Sequence, residues 1–215
     1  MERTVLILAG GKGRRFNSRD KCFIVLNHKA LIQHVIDNLA DMADEIIVAA
    51  RDEQQGRQIR QQIPNNVVLV FDSLRGFGPL AGVLSGLERA SAPYSLVIGC
   101  DMPFVNRRVV DLLFTEAERG NYSAVVPTWE NGMVEPLHAV YRKEPTLAAV
   151  RNSIKQGNER MFNVLLQLKN VHYLPVARIQ ALAPELTTFR NINTPEELQN
   201  CASILETEKN PERDT

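Results

Sequence analysis

Four short runs of nearly unbroken apolar residues, at positions 4–9, 45–50, 67–71 and 95–99, constrain this chain more than any other feature. Three longer runs separate them, at 30–41, 53–62 and 80–90, with apolar residues at helical spacing; Leu31, Val35 and Leu39 line one face of the first. A strand with one wet face alternates apolar and polar side chains, whereas a strand covered on both faces stays apolar throughout. The pattern therefore predicts parallel strands joined by crossover helices. Beyond residue 100 the rhythm continues with a helix at 107–118 and a strand at 123–127. A loop through Trp129, Asn131 and Gly132 breaks it before a strand at 134–141. Helices at 144–153 and 159–167 and a strand at 171–174 follow. A last helix opens at Thr194-Pro195-Glu196-Glu197, with Thr194 as N-cap, proline in the first turn and acidic residues near the positive end of the helix dipole. After Leu205 no apolar residue occurs, so 206–215 reads as a flexible tail behind one domain spanning 1–205. The expected fold class is α/β: a single doubly wound, mostly parallel sheet flanked by helices.

Bulk properties remove several function classes. Lys plus Arg and Asp plus Glu both number 25, so no broad field draws the chain to nucleic acid or to an anionic membrane. An anionic ligand has to be held locally. No apolar stretch is long enough to span a bilayer, and the apolar start is too short for the core of a signal peptide, which points to the cytoplasm. Cys22, Cys100 and Cys201 lie far apart without a CxxC pair, and the four histidines are equally scattered. Neither a disulfide framework nor a zinc site is favoured.

Chemistry concentrates in five places. Directly after the first strand, Gly10, Gly11 and Gly13 stand among Lys12, Arg14, Arg15, Arg19 and Lys21. Glycines beyond a parallel strand let backbone N–H groups converge on phosphate oxygens, and Lys12, Arg15 and Lys21 can neutralise charge that amides cannot. The loop is neither of two familiar phosphate motifs: no Gly-Lys-Ser/Thr triplet follows Gly10, and Phe16 stands where a dinucleotide fingerprint needs a small residue. Asp72 ends the third strand, and Gly78-Pro79 with Gly82 opens the next helix; these glycines suit close approach of a base or of a neighbouring strand. Asp101 follows a buried strand at the carboxyl edge of the sheet, where it can hold Mg²⁺ or simply cap a turn before Pro103. Asn191 and Asn193, two apart on an extended segment, face the same side and can share one ligand, although Asn193 can equally cap the last helix. Glu135 and His138 put further polar groups at a strand end, with His138 expected to be a packed histidine.

Taken together, LAGGKGRRFNSRDK, FDS followed by GPLAG, CDMPF, EPLHAVY and NINTPEEL resemble the molybdenum cofactor guanylyltransferase family, within the α/β nucleotidyltransferases. The resemblance implies a Rossmann-like nucleotidyltransferase fold. It further implies transfer of GMP from GTP to the terminal phosphate of molybdopterin, with pyrophosphate released and Mg²⁺ required. By position, Leu8, Ala9, Gly10 and Gly11 would hold the nucleotide and Lys21 would neutralise its phosphates. Asp72 would sit near the guanosine, Asp101 would bind Mg²⁺, and Asn191 and Asn193 would line the molybdopterin side. A molybdenum-insertion enzyme or an apo molybdoenzyme is the partner so implied.

Two places depart from the pattern: Asn17 replaces a usual glycine, and Ala49-Ala50 replaces a stretch that often carries a base-contacting Asn. Molybdopterin cytidylyltransferases, phospholactate guanylyltransferases and sugar-phosphate nucleotidyltransferases share the loop and the metal-binding Asp. A nucleotide-binding module without turnover is the non-enzymatic alternative.

Overall fold

The computed structural model describes residues 2–13, 15–16, 19–72, 74 and 76–209, with backbone alone at Lys12, Gly13 and 203–209. Asn17 and the last six positions of the expected tail lie outside the described residues. Seven strands form one sheet: β1 (Arg3–Leu8), β2 (Glu45–Ala50), β3 (Val68–Phe71), β4 (Tyr94–Gly99), β5 (Ala124–Thr128), β6 (His138–Arg142) and β7 (Val171–Pro175). Their spatial order is β7-β5-β6-β4-β1-β2-β3. All neighbours pair in parallel except β6, which runs antiparallel to both β4 and β5. The mostly parallel, doubly wound sheet expected from the apolar runs is the one observed.

The helices cover both faces. Helices α1 (Leu31–Leu39), α2 (Glu53–Arg60) and α4 (Arg107–Gly120), with the short α7 (Val176–Gln180), pack against Val5, Ile7, Val48 and Ile98. On the other face α3 (Pro79–Arg89), α5 (Lys143–Lys155) and α6 (Met161–Leu165) cover Leu6, Ile47 and Val97. Alternate residues of β1 thus enter opposite cores, and Val5, Leu6 and Ile7 are all fully buried. That two-sided burial explains the unbroken apolar runs. The last helix, α8 (Pro195–Lys209), packs through Cys201 into a third cluster with Ile24, Leu26, Leu31 and Ile192.

Several boundaries differ from the sequence expectation for local reasons. The strand expected at 134–141 begins only at His138, and Val134 keeps a single bridge to Thr128. Pro136 has no N–H to give a ladder, so pairing cannot run through it. The helix expected at 159–167 contracts to Met161–Leu165, after Gly157 has turned at φ +75°. Helix α8 runs on to Lys209, four residues past the point where apolar side chains cease, so 206–209 of the expected tail are helical. A hairpin pairing Val25–Leu26 with Lys29–Ala30 was not expected; Asn27 and His28 turn it at φ +46° and +68°, the double positive φ that a two-residue hairpin loop demands.

Glycines on α3 bring that helix close to the sheet. A Cβ on Gly86 would overlap the side chain of Leu6, and one on Gly82 would stand 3.1 Å from Leu8 Cδ2 and 3.2 Å from Ala49 Cβ. Leu6 is fully buried and has nowhere to retreat. Gly86→Ala should therefore lower stability by about 1–3 kcal/mol through overpacking, against the roughly 1 kcal/mol that alanine gains in an exposed helix. A shift of the denaturant midpoint to lower concentration checks this.

Candidate active site

The order β3-β2-β1-β4 places a reversal of winding between β1 and β4, and the loops leaving these strands lie at their carboxyl ends, where sheets of this kind bind ligands. Four of them converge there, carrying Gly10 and Gly11 after β1, Arg51 after β2, Asp72 after β3 and Asp101 after β4. Backbone bonds hold the loop roots: Ala9 N–H donates to Ala49 O at 2.9 Å, Asp72 N–H to Ala50 O at 2.9 Å, and Cys100 N–H to Leu8 O at 3.1 Å.

The glycine loop leaves β1 and returns on itself. Lys12–Gly13 pairs antiparallel with Arg19–Asp20, and Lys21 N–H reaches Gly11 O at 3.4 Å. Arg51 clamps the returning arm, its guanidinium donating to both carboxylate oxygens of Asp20 at 2.7 and 3.1 Å and to Asp52 at 3.1 Å. The hydrogen bond to Asp20, assisted by that of Asp52, pushes the Arg51 pKa up, so this cation is permanent. Asp52 caps α2 by accepting from Gln55 N–H at 2.8 Å, the main cause of its lowered pKa. The buried Gln55 side chain then joins two roots, donating to Ala9 O at 2.9 Å and accepting from Arg51 N–H at 2.7 Å.

Lys21, at the end of this loop, is the point where three distant segments meet. Its ammonium donates to Asp101 Oδ2 at 2.7 Å and to Asn193 Oδ1 at 2.5 Å. A Cβ on Gly99 would collide with Asp101 Oδ1, so glycine there lets the carboxylate fold back over the end of β4. Asp101 O accepts from Ile192 N–H at 2.9 Å, which docks the 187–193 segment on the sheet edge. Asn193 is fixed from behind. Glu197 accepts from the N–H groups of Asn193 at 2.6 Å and Thr194 at 3.0 Å, while Thr194 Oγ1 accepts from Glu197 N–H at 3.1 Å. This is a capping box with Thr194 as N-cap. Asn193 is thereby released from capping, and its amide faces Lys21.

Asp72 lies beside the glycines. A Cβ on Gly10 would stand 3.3 Å from Asp72 Oδ2, and one on Gly82 3.3 Å from Asp72 Oδ1, so both positions leave room for this carboxyl. Oδ1 is buried without a hydrogen-bond partner among the described residues. Burial pushes the Asp72 pKa up to about 6, with Arg51 opposing the shift. An orphaned acceptor in a half-buried cleft is stabilised by a ligand that brings N–H or O–H donors. Ala49, on the neighbouring strand, is packed under Gly82 and Ala50 is fully buried. A larger polar side chain at either position would have to displace the core, so Asp72 is the polar side chain that this stretch of the edge presents.

On the far side of Asp101 the 187–193 segment crosses towards β5 and β6. Phe189 packs edge-on against His138 at 5.0 Å and against Trp129 at 5.6 Å. His138 is fully buried, and burial lowers its pKa to about 3, so it stays neutral and walled off, as expected for a packed histidine. Trp129 Nε1–H donates to Glu135 Oε1 at 2.8 Å.

The residues singled out from sequence therefore divide. Lys21, Asp101 and Asn193 meet directly; Leu8, Ala9, Gly10 and Asp72 line the adjoining edge, and Gly78, at φ +51°, with Pro79 starts α3 beside it. Gly11 and Asn191 are exposed at its rim. Arg15 stands exposed in the turn and makes no ion pair with a described residue, and the Lys12 side chain lies outside the described residues. Arg51, Asp52 and Gln55 were not anticipated. Their signal was position alone: a cation and an acid directly after an apolar strand, at the edge where such sheets bind ligands.

A family profile described as a MobA-like NTP transferase domain matches residues 5–171. A probable molybdenum cofactor guanylyltransferase of Methanosarcina mazei is 37% identical over 202 residues, covering 92% of this chain and 89% of that protein. A molybdenum cofactor guanylyltransferase of Desulfosudis oleivorans is 31% identical, covering 94% and 95%. Among solved structures, molybdopterin-guanine dinucleotide biosynthesis protein A from Archaeoglobus fulgidus superposes with a TM-score of 0.83 at 29% identity, over 95% of this chain and 99% of that one. The 2-C-methyl-D-erythritol 4-phosphate cytidylyltransferase of Thermus thermophilus shares the fold, with a TM-score of 0.67 at 23% identity over 96% and 100%.

The raised pKa of Asp72 has a consequence for stability. The native state holds this proton more tightly than the unfolded chain, so the stability it contributes is complete below about pH 3.8 and lost as pH rises through about 6. Asp72→Asn should be more stable than wild type at pH 7.5, on the order of 1–2 kcal/mol after allowing for solvent screening. The difference should vanish below pH 4, as read from denaturant midpoints across pH.

Proposed function

Because the chain belongs to the MobA-like NTP transferase family, we propose that it transfers GMP from GTP to the terminal phosphate of molybdopterin. Pyrophosphate leaves, and the guanine dinucleotide form of the molybdenum cofactor results. The meeting of Lys21, Asp101 and Asn193 at the switch point carries this reading, because it places a cation and two oxygen donors beside a glycine loop suited to a triphosphate. The names of the relatives support the base and the acceptor.

The backbone N–H groups of the glycine loop receive the phosphates, and Lys21 exchanges its contacts with Asp101 and Asn193 for them. Asp72 offers its unpartnered oxygen to donors on the base or ribose. An oxygen of the acceptor phosphate attacks the α-phosphorus, the bond from that phosphorus to the bridging oxygen breaks, and pyrophosphate departs with the electron pair. A phosphate monoester with a second pKa of about 6 is already anionic at neutral pH, so no general base is required. The neutral, buried His138 fits that chemistry, since it takes no part in it.

Nucleotidyltransferases of this kind work with a divalent metal, and the donor set can be tested for fit. No group of three His, Cys, Asp or Glu side chains among the described residues could hold one. Mg²⁺, however, uses one or two protein oxygens and completes its shell with water and phosphate. The Asp101 carboxylate and Asn193 amide oxygen converge on a single positive charge, that of Lys21, and both are hard oxygen donors. They would hold Mg²⁺, which supplies polarisation of the phosphoryl oxygens and neutralises charge developing on the leaving group.

No helix among the described residues is long and apolar enough to cross a membrane. All three cysteines are free and buried, which accords with a reducing, cytoplasmic setting. Transient contact with the enzyme that inserts molybdenum, or with an apo molybdoenzyme, would deliver or receive the cofactor.

The deciding assay measures pyrophosphate release with molybdopterin, comparing GTP, CTP and ATP with and without Mg²⁺. Release with GTP and Mg²⁺ alone is expected, and Asp101→Asn should reduce it by about 10²–10³-fold, the range for losing one electrostatic contact to a transition state, while GTP still binds. Release with CTP would instead make the enzyme a cytidylyltransferase. Silence with all three nucleotides would reject molybdopterin as the acceptor.

A further inference from the structure

We propose that Glu135, braced by Trp129, reads the ring of the acceptor by accepting the ring N–H and exocyclic amino donors of a 2-amino-4-oxo pyrimidine, as in a pterin. The proposal rests on the reading that the acceptor is a pterin phosphate. Placement is the first support. Strand β6 lies antiparallel against β4 with His138 opposite Ile98, so the residues before His138 run back along the carboxyl edge from which Asp101 projects. His138 N–H donates to Glu135 O at 3.1 Å, folding Glu135 over the start of β6. Trp129 emerges at the same edge one strand further on. A continuous chain of contacts joins this place to the site: Trp129 to Phe189, and three residues later Ile192 to Asp101 and Asn193 to Lys21.

The chemistry of Glu135 is the second support. It is half-buried, no described cation lies within ion-pair distance of it, and among the described residues the only donor to its carboxylate is the Trp129 indole, on Oε1. Burial raises its pKa and the indole only partly offsets that. A carboxyl held at such a cost with acceptor capacity to spare matches a ligand that brings adjacent N–H donors. A pterin carries two such donors side by side, spaced for the two oxygens or for one shared oxygen of a carboxylate. Exposed Met133, on the same turn and joined through its carbonyl to Trp129 N–H at 2.8 Å, offers a soft apolar surface beside it. The nucleotide has its own carboxyl in Asp72, on the opposite side of β4.

Trp129 is the sole tryptophan of the chain, so its emission reports on this turn alone. The full-length protein is titrated with 6-hydroxymethylpterin and with its 2-oxo counterpart, in wild type and in Glu135→Gln, which keeps an oxygen for the indole. Wild type should bind the amino compound at least about tenfold tighter, in line with one bidentate contact. Glu135→Gln should bind both alike, with a molybdopterin KM raised at least about tenfold and an unchanged KM for GTP and thermal midpoint. Retained selectivity in Glu135→Gln, or no pterin quenching in wild type, overturns the proposal. A joint fall in thermal midpoint and GTP affinity does so too, since it makes Glu135 a brace for the turn. Pyrophosphate release from molybdopterin by wild type, with an unaltered acceptor KM in the variant, would sink this assignment alone; no release by wild type would sink the acceptor reading itself.

Discussion

A single ammonium group organises the site. Lys21 lies 80 residues before Asp101 and 172 before Asn193, yet bonds both. Two anionic or dipolar oxygens facing one cleft would repel each other and demand water; the lysine lets them approach without either being orphaned. Three neighbours support this meeting. Gly99 makes room for the carboxylate to turn back, Arg51 pins the arm that ends in Lys21, and Glu197 fixes the backbone that presents Asn193. The same arrangement leaves the edge internally compensated, with the ammonium, the carboxylate and the amide oxygen satisfying one another.

The sheet divides the work between two halves. Strands β1, β2 and β3 are parallel and end in the glycine loop, Arg51 and Asp72; Gln55 ties the first two, and Asp72 N–H bonds the end of β2 at Ala50 O. Beyond β4, the antiparallel β6 interrupts the parallel order, and its entry turn, together with the 129–135 loop and the 187–193 segment, forms a separate wall. The two halves meet at the end of β4 and at the bond between Lys21 and Asn193.

Legibility from sequence followed the physics of each element. The parallel strands were readable because two-sided burial writes itself as an unbroken apolar run, as in residues 45–50, where expectation and structure coincide. Thr194 and Glu197 were readable because a cap is a local device. The extent of β6 was not, since Pro136 ends pairing that the apolar pattern alone would have continued. Among the site residues, Lys21 and Asp101 could be named from motifs, but their contact required the fold. The Asn193 side chain was ambiguous until the competing donor and acceptor of α8 were known. Arg51 and Gln55 carry no motif; their roles come from the partners that β2 and α2 bring to them, which no local pattern encodes.

The order of these parts along the chain bears on how the protein comes into being. Domains are synthesised from the N-terminal end, so the glycine loop, Lys21 and the strands through β4 leave the ribosome well before Ile192 and Asn193, which complete the edge. A nascent chain can gather its nucleotide half while Lys21 still lacks one of its two partners and Asp101 O lacks the backbone N–H that docks the closing segment. Residues 192 and 193 are therefore the last of these groups to be synthesised, and the contacts they make to Asp101 O and to the Lys21 ammonium are the last of the edge to form.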